Sequence, residues 1–67
     1  MPSAGIRSYS YDPQFQALTI TFQSGRRYLY YGVPETLVAE MKRAFSKGEF
    51  FNEHIRAQFS FKRLPAE

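Results

Sequence analysis

Alternating apolar and polar residues predict strands in the first half of the chain. Leu18, Ile20 and Phe22 alternate with threonine and glutamine, which is the period-2 pattern of a half-buried strand. Two tyrosine-rich segments flank this pattern, and Asp-Pro and Ser-Gly turn pairs separate the three. We therefore expect an antiparallel meander with strands over residues 6–11, 18–23 and 26–31.

In the second half, apolar residues recur at helical spacing. Pro34 suits the first position of a helix. The predicted buried face of this helix carries Leu37, Val38, Met41, Ala44 and Phe45. Ser46 and Glu49 match the capping box that begins a second helix. Its predicted buried side repeats every fourth residue, at Phe51, Ile55 and Phe59.

This order of elements predicts an α+β fold, in which a three-stranded antiparallel meander is followed by two helices packed on one sheet face. We expect Phe51 and Ile55 to pack together against Leu37 and Met41. By the same periodicity, the core phenylalanines are Phe22, Phe45, Phe51 and Phe59. The segment 60–63 is too short to classify, and Phe61 either continues the core or pairs in an edge strand.

With 67 residues, the chain is long enough for one domain. We place it at residues 6–63, between a flexible start at 1–5 and a tail at 64–67. The chain has no cysteine, which excludes disulfides and thiolate chemistry. It also shows no signal peptide and no apolar run long enough to cross a membrane, so we expect a cytoplasmic protein without membrane contact.

Catalytic chemistry finds little support in the sequence. His54 is the only histidine, and no nucleophile or carboxylate stands at a motif spacing from it. Glu49 and Glu53 share a helix face, which is typical of solvated charge. The glycines are isolated, so no phosphate loop or dinucleotide fingerprint is present. We predict that the protein is not an enzyme and has no cofactor and no metal.

Basic residues next to aromatic ones indicate another function. The net charge is +3, and 18% of the residues are aromatic. On a sheet, cations contact phosphates and rings stack on bases. Arg7, Tyr9 and Tyr11 are expected on one face of the first strand. The candidate nucleic-acid-binding residues are Arg26, Arg27, Tyr28, Tyr30, Tyr31, Lys47, Arg56, Lys62 and Arg63.

The strand tyrosines also have a purely structural interpretation. Tyr28 and Tyr30 point to one side of a strand, whereas Leu29 and Tyr31 point to the other. Only one of these pairs can face the helices, so at least one tyrosine is exposed in either arrangement. The basic residues, in turn, are also explained by solubility alone.

An ordered set of short motifs resembles the KTSC domain, which is found at the C-terminus of some lysyl-tRNA synthetases and as small bacterial proteins. The matching residues are Ile6-Arg7-Ser8-Tyr9, Tyr11-Asp12-Pro13, Leu18-x-Ile20-x-Phe22-x-Ser24-Gly25, Tyr28-Leu29-Tyr30, Tyr31-Gly32-Val33-Pro34, Ser46-Lys47-Gly48, Phe51-Asn52, Ile55-Arg56 and Phe59-x-Phe61-Lys62-Arg63. The resemblance implies a small domain whose function is unknown, with RNA binding suggested by its synthetase context.

Two functions follow as hypotheses. The first is a small nucleic-acid-binding module, with RNA as the expected partner. The alternative is an interaction module that binds a protein or pairs with itself as a homodimer, because a core this small gains stability from a partner.

Overall fold

The structure, a computed structural model, describes residues 5–66 as an antiparallel sheet with two helices. The four strands lie side by side in chain order. The elements are β1 (Ile6–Asp12), β2 (Ala17–Phe22), β3 (Arg27–Tyr30), α1 (Glu35–Arg43), α2 (Lys47–His54) and β4 (Phe61–Leu64). The predicted α+β meander followed by helices is confirmed. A fourth strand, which the sequence left unclassified, pairs antiparallel with β3.

The core lies between one sheet face and the two helices. Phe51 is at its centre, only 1% exposed. Its ring meets Tyr30 and Phe22 edge-on at 5.2 and 5.7 Å. Phe51 and Ile55 share one cluster with Met41, and Leu37 packs against it, as predicted. The buried hydrophobic residues are Leu18, Ile20, Tyr30, Val33, Val38, Met41, Phe51 and Ile55.

A β-bulge changes the facing of residues in β1. The register of β1 against β2 shifts between Ile6 and Ser8, so Arg7 is the extra residue. Consequently Ile6 and Tyr9 both pack against the core although they are three positions apart. Tyr11 packs there as well, whereas Arg7 is exposed. The expectation that Arg7 shares a face with the two tyrosines is therefore wrong.

The prediction that Phe45 belongs to the core is also wrong. Helix α1 ends at Arg43, and Ala44 is its C-cap with an extended backbone, ψ 145°. The helical spacing that placed Phe45 beside Met41 no longer applies beyond this point. The Phe45 side chain is fully exposed, at 108% of its reference area.

Helix α2 begins as predicted but ends early. The Ser46 hydroxyl accepts a hydrogen bond from the backbone N–H of Glu49 at 3.3 Å, which confirms the N-cap. At the other end, the N–H groups of Ile55 and Arg56 both donate to the carbonyl of Phe51, at 3.0 and 2.9 Å. The backbone leaves the helix there, so Phe59 packs partly buried from a turn rather than from a helix.

The predicted flexible start at 1–5 lies outside the described residues except for Gly5. The carbonyl of Gly5 accepts a hydrogen bond from the Gln23 N–H at 2.7 Å. Strand β4 runs through Leu64, the first residue of the predicted tail. Within residues 5–66, neither helix has the length and apolar character that a membrane crossing requires.

Candidate nucleic-acid interface

An open cleft of about 680 Å³ lies on the helix side of the sheet, where α2 has ended. We call it the arginine cleft because three arginines from separate parts of the chain line it. Rings, two amide side chains and small residues complete its wall. The lining residues are Gly5, Phe22, Gln23, Ser24, Arg26, Tyr28, Tyr30, Asn52, Arg56, Phe61 and Arg63.

The three arginines reach the cleft from different elements. Arg26 follows the β2–β3 turn, where Gly25 takes a left-handed conformation with φ 91°. Arg63 lies in β4 directly opposite Tyr28. Arg56 follows the C-terminal end of α2. Because they are 30 and seven positions apart in the chain, only the fold brings their charges to one place.

Aromatic rings form the floor of the arginine cleft. Phe61 packs edge-on against Tyr28 at 5.5 Å and tilted against Tyr30 at 5.6 Å. Their accessibility differs: Tyr30 is 4% exposed, whereas Phe61 is 55% exposed. The burial of Tyr30 removes its ring from the set that can stack on a base. Phe61, with the half-buried Tyr28 beside it, presents the accessible ring surface.

No carboxylate of the described residues neutralises the charge of the cleft arginines. Among residues 5–66, none of the three forms an ion pair. Arg56 donates a long hydrogen bond of 3.4 Å to Asn52 Oδ1. Burial raises the pKa of Tyr30, and the nearby Arg56 charge opposes that rise. The cleft therefore presents unpaired positive charge above an aromatic floor.

The fold separates the predicted binding residues. Arg26, Tyr28, Tyr30, Arg56 and Arg63 line the arginine cleft. Arg27 and Lys62 occupy strand positions that alternate with cleft residues and so lie on the opposite sheet face. Tyr31 is exposed just beyond β3, where its N–H donates to the Ser60 carbonyl. Lys47 lines a second cleft, which none of the three arginines reaches.

Phe61 and Asn52, which line the arginine cleft, were not predicted as binding residues. Phe61 and Arg63 would share a face if the segment were a strand, and this alternation was a usable signal. Four residues were too few to establish the strand from sequence. Asn52 gave no signal of its own, since a helical asparagine is usually solvated.

His54 lies outside the arginine cleft. Its ring lies tilted against the Phe50 ring, with the two centroids 4.5 Å apart, and its Nε2 is 3.8 Å from Glu53 Oε1. Both side chains of this pair are more than half exposed, at 51% and 72%. Within the described part of the chain, no group of three or more His, Asp or Glu side chains could hold a metal ion.

Comparisons with known proteins agree on one family. The family model described as the KTSC domain matches residues 2–59. A solved structure, a KTSC domain protein from Yersinia pestis, superposes with a TM-score of 0.88 at 35% identity, covering 97% of this chain and 92% of that one. An uncharacterized protein from Stutzerimonas stutzeri is 38% identical over 87% of this chain and 82% of its own length.

Larger relatives contain the same domain as a small part. A lysine–tRNA ligase from Nostoc sp. is 42% identical over 88% of this chain, and one from Nostoc punctiforme is 41% identical over 88%. The chain spans only 10% of the length of each ligase. The similarity thus concerns an additional domain of these proteins and not their whole length.

Proposed function

This chain belongs to the KTSC domain family, and we propose that it binds single-stranded RNA in the arginine cleft. The observation that carries the proposal is the convergence of Arg26, Arg56 and Arg63 above the accessible ring of Phe61. Proteins that bind single strands combine these two features, a positive groove for the backbone and aromatic rings for the bases. The role is binding without catalysis.

The arginines supply the contacts to phosphate. A guanidinium presents several N–H donors in a planar fork that matches two phosphate oxygens. Since the three arginines have no carboxylate partner among residues 5–66, binding a phosphate breaks no existing ion pair. Charge-assisted hydrogen bonds of this kind contribute more to affinity than neutral ones.

The floor supplies the contact to a base. The 55% exposure of Phe61 leaves ring surface for stacking, and Tyr28 supports that ring from beside it. A base stacked inside a duplex cannot reach this surface, so the cleft favours an unpaired strand. Asn52 adds a donor: its Oδ1 accepts from Arg56, which leaves its amide nitrogen to donate to a base edge.

The preference for RNA over DNA is supported by the relatives and not by the geometry. The chain matches a small part of three proteins that are named lysine–tRNA ligases. By their names these ligases act on tRNA, so RNA is the nucleic acid that this context supports. We extend this context to the present chain, and we place the chain in the cytoplasm with its RNA.

Titration of a fluorescently labelled single-stranded RNA by anisotropy tests the proposal. We expect the protein to bind RNA at about 0.05 M salt and to bind it much more weakly at about 0.2 M salt. The reason is that phosphate contacts release counterions from the RNA, and this release becomes less favourable as the salt concentration rises. The same sequence as a duplex should bind more weakly, and the DNA version reports on sugar preference. Absence of RNA binding at the lower salt concentration would remove the proposal.

A second candidate function is association with a protein or with another copy of this chain. Its support is the sheet itself: β1 and β4 are the outer strands of the described sheet, and the helices pack on only one face. Outer strands offer backbone groups for pairing. Light scattering over a concentration series distinguishes a dimer from a monomer and thereby decides on self-association.

A further inference from the structure

Asn52 and Arg56 form a pair of neighbouring donors in the arginine cleft. They lie at the C-terminal end of α2, and Arg56 Nη1 donates to Asn52 Oδ1 at 3.4 Å. Because a guanidinium has only donors, this contact fixes which side of the amide faces the arginine. The amide nitrogen, Nδ2, therefore lies on the other side, and within residues 5–66 it has no acceptor.

The accessible ring of Phe61 lies close to this pair. Tyr30 connects the two: its ring centroid is 5.6 Å from that of Phe61 and 5.2 Å from that of Phe51, the residue before Asn52. Burial raises the pKa of the Tyr30 hydroxyl and the charge of Arg56 lowers it, so Arg56 also lies near this ring. A base stacked on Phe61 therefore has its edge towards the two donors.

This end of the arginine cleft is defined by α2, β3 and β4. In the sheet, Phe61 lies opposite Tyr30, and Tyr30 lies opposite Leu18 at the start of β2. The first residue of β1, Ile6, pairs instead with Phe22 at the far end of β2. The stacking ring and the paired donors thus lie away from the place where the chain enters β1.

Neighbouring donors select a base that presents neighbouring acceptors. Guanine carries two, O6 and N7, whereas adenine has an amino group, which is a donor, in place of O6. An adenine would therefore turn its amino group against the donors of the cleft. Cytosine also has adjacent acceptors, but it offers one ring for stacking on Phe61, where a purine offers two fused rings.

We propose that the arginine cleft recognises guanine in an unpaired RNA strand, with Asn52 Nδ2 donating to O6, Arg56 donating to N7 and the base stacked on Phe61. This inference rests on the proposed function of the cleft. Arg56 has several N–H groups, so it serves N7 as well as a phosphate. Arg26 and Arg63 contact phosphates alone, and base choice therefore depends on residues of α2 and its end.

Base substitution in an otherwise constant RNA tests this proposal. A labelled short oligouridylate with one variable base at its centre is titrated with the full chain. We expect the guanine oligomer to bind between about 5-fold and about 100-fold more tightly than the adenine oligomer. Hypoxanthine keeps O6 and N7 and should match guanine, whereas 7-deazaguanine lacks the N7 acceptor and should bind more weakly. Equal affinity for guanine and adenine would overturn the proposal and leave the proposed function standing.

Asn52→Ala tests the role of the amide. Alanine suits a helix, so the variant should fold. It should bring the guanine and adenine oligomers to similar affinity. The matched control is Gln14→Ala, which removes an exposed amide outside the arginine cleft and should keep the wild-type preference. If Asn52→Ala also keeps that preference, Asn52 does not recognise the base and the proposal is wrong. If no oligomer binds to the wild-type chain, the proposed function fails with it.

Discussion

The sheet face beneath the helices has two regions that are built from the same strands but differ in how far the helices cover them. In the packed region, Phe51 and Met41 from the helices cover Leu18 and Ile20 completely. In the open region, α2 has already ended, and the arginine cleft lies over the rings of Tyr28 and Phe61. Aromatic side chains occur in both regions, so ring content alone does not distinguish a core from a binding surface.

The comparison shows that the point where a helix ends decides what a neighbouring ring can do. Phe51 lies within α2 and is closed off by the sheet. Phe61 lies on the same sheet face, yet no helix residue covers most of its ring. Tyr30 joins the two regions: it meets Phe51 on one side and Phe61 on the other. The packed core and the proposed binding surface therefore share one aromatic layer.

Phe51→Ala should have the largest effect of the substitutions considered, because it lowers the free energy of unfolding by removing a ring from the packed region. Removing a fully buried phenylalanine costs about 3–5 kcal/mol, through lost burial and the cavity that remains. A loss of this size approaches the whole free energy of unfolding of a small domain. Urea unfolding measures it, with Phe15→Ala expected to change stability by at most about 0.5 kcal/mol. A Phe51→Ala protein as stable as wild type would refute the core described above.

Phe61→Ala should affect the open region, where we expect it to lower RNA affinity and to have less effect on stability than Phe51→Ala has. We expect RNA affinity to fall by about 1–3 kcal/mol, the usual contribution of one stacked base. The loss of stability should be smaller than that of Phe51→Ala, because the Phe61 ring is half in solvent. Anisotropy and urea unfolding on the same samples give both values. Loss of stability without loss of affinity would show that Phe61 belongs to the packed region.

Tyr30→Phe should have the smallest effect, and only at alkaline pH. Burial raises the pKa of Tyr30 in the folded state, whereas a tyrosine in the unfolded chain ionises near pH 10. The stability that the protonated Tyr30 hydroxyl contributes is thus fully present below pH ~10, and it is lost as the pH rises towards the pKa of Tyr30 in the folded state. Without this hydroxyl, the stability of the variant should fall less steeply above pH ~10. Identical slopes for the two proteins would contradict the assigned burial.

Local patterns in the sequence predicted the packed region well. The alternation around Ile20 identified β2, and the Ser46 cap identified the start of α2. The helical spacing also predicted correctly that Phe51 is a core residue, because α2 continues through that position. The same reasoning failed for Phe45, since periodicity assumes that a helix continues and does not detect the extended Ala44 that ends α1.

The open region was only partly predictable, because tertiary structure assembles it. Arg26 and Arg63 were recognised as candidates, but their meeting depends on β4, a strand of four residues. Arg27 and Lys62 had the same composition signal and lie on the opposite face. Alternation within a strand separates such neighbours only when the strand is known. The sequence therefore predicted the kinds of residue in the site better than their grouping.

The most direct test of the arginine cleft compares Arg63→Ala with Lys62→Ala. These neighbours in β4 remove the same charge from opposite faces of the sheet. The measurement is the slope of log affinity for single-stranded RNA against log salt concentration. We predict that Arg63→Ala flattens the slope by about 0.7, the value for one phosphate contact on a single strand, and that Lys62→Ala leaves it unchanged. Equal flattening in both variants would mean that net charge, and not the cleft, binds the RNA.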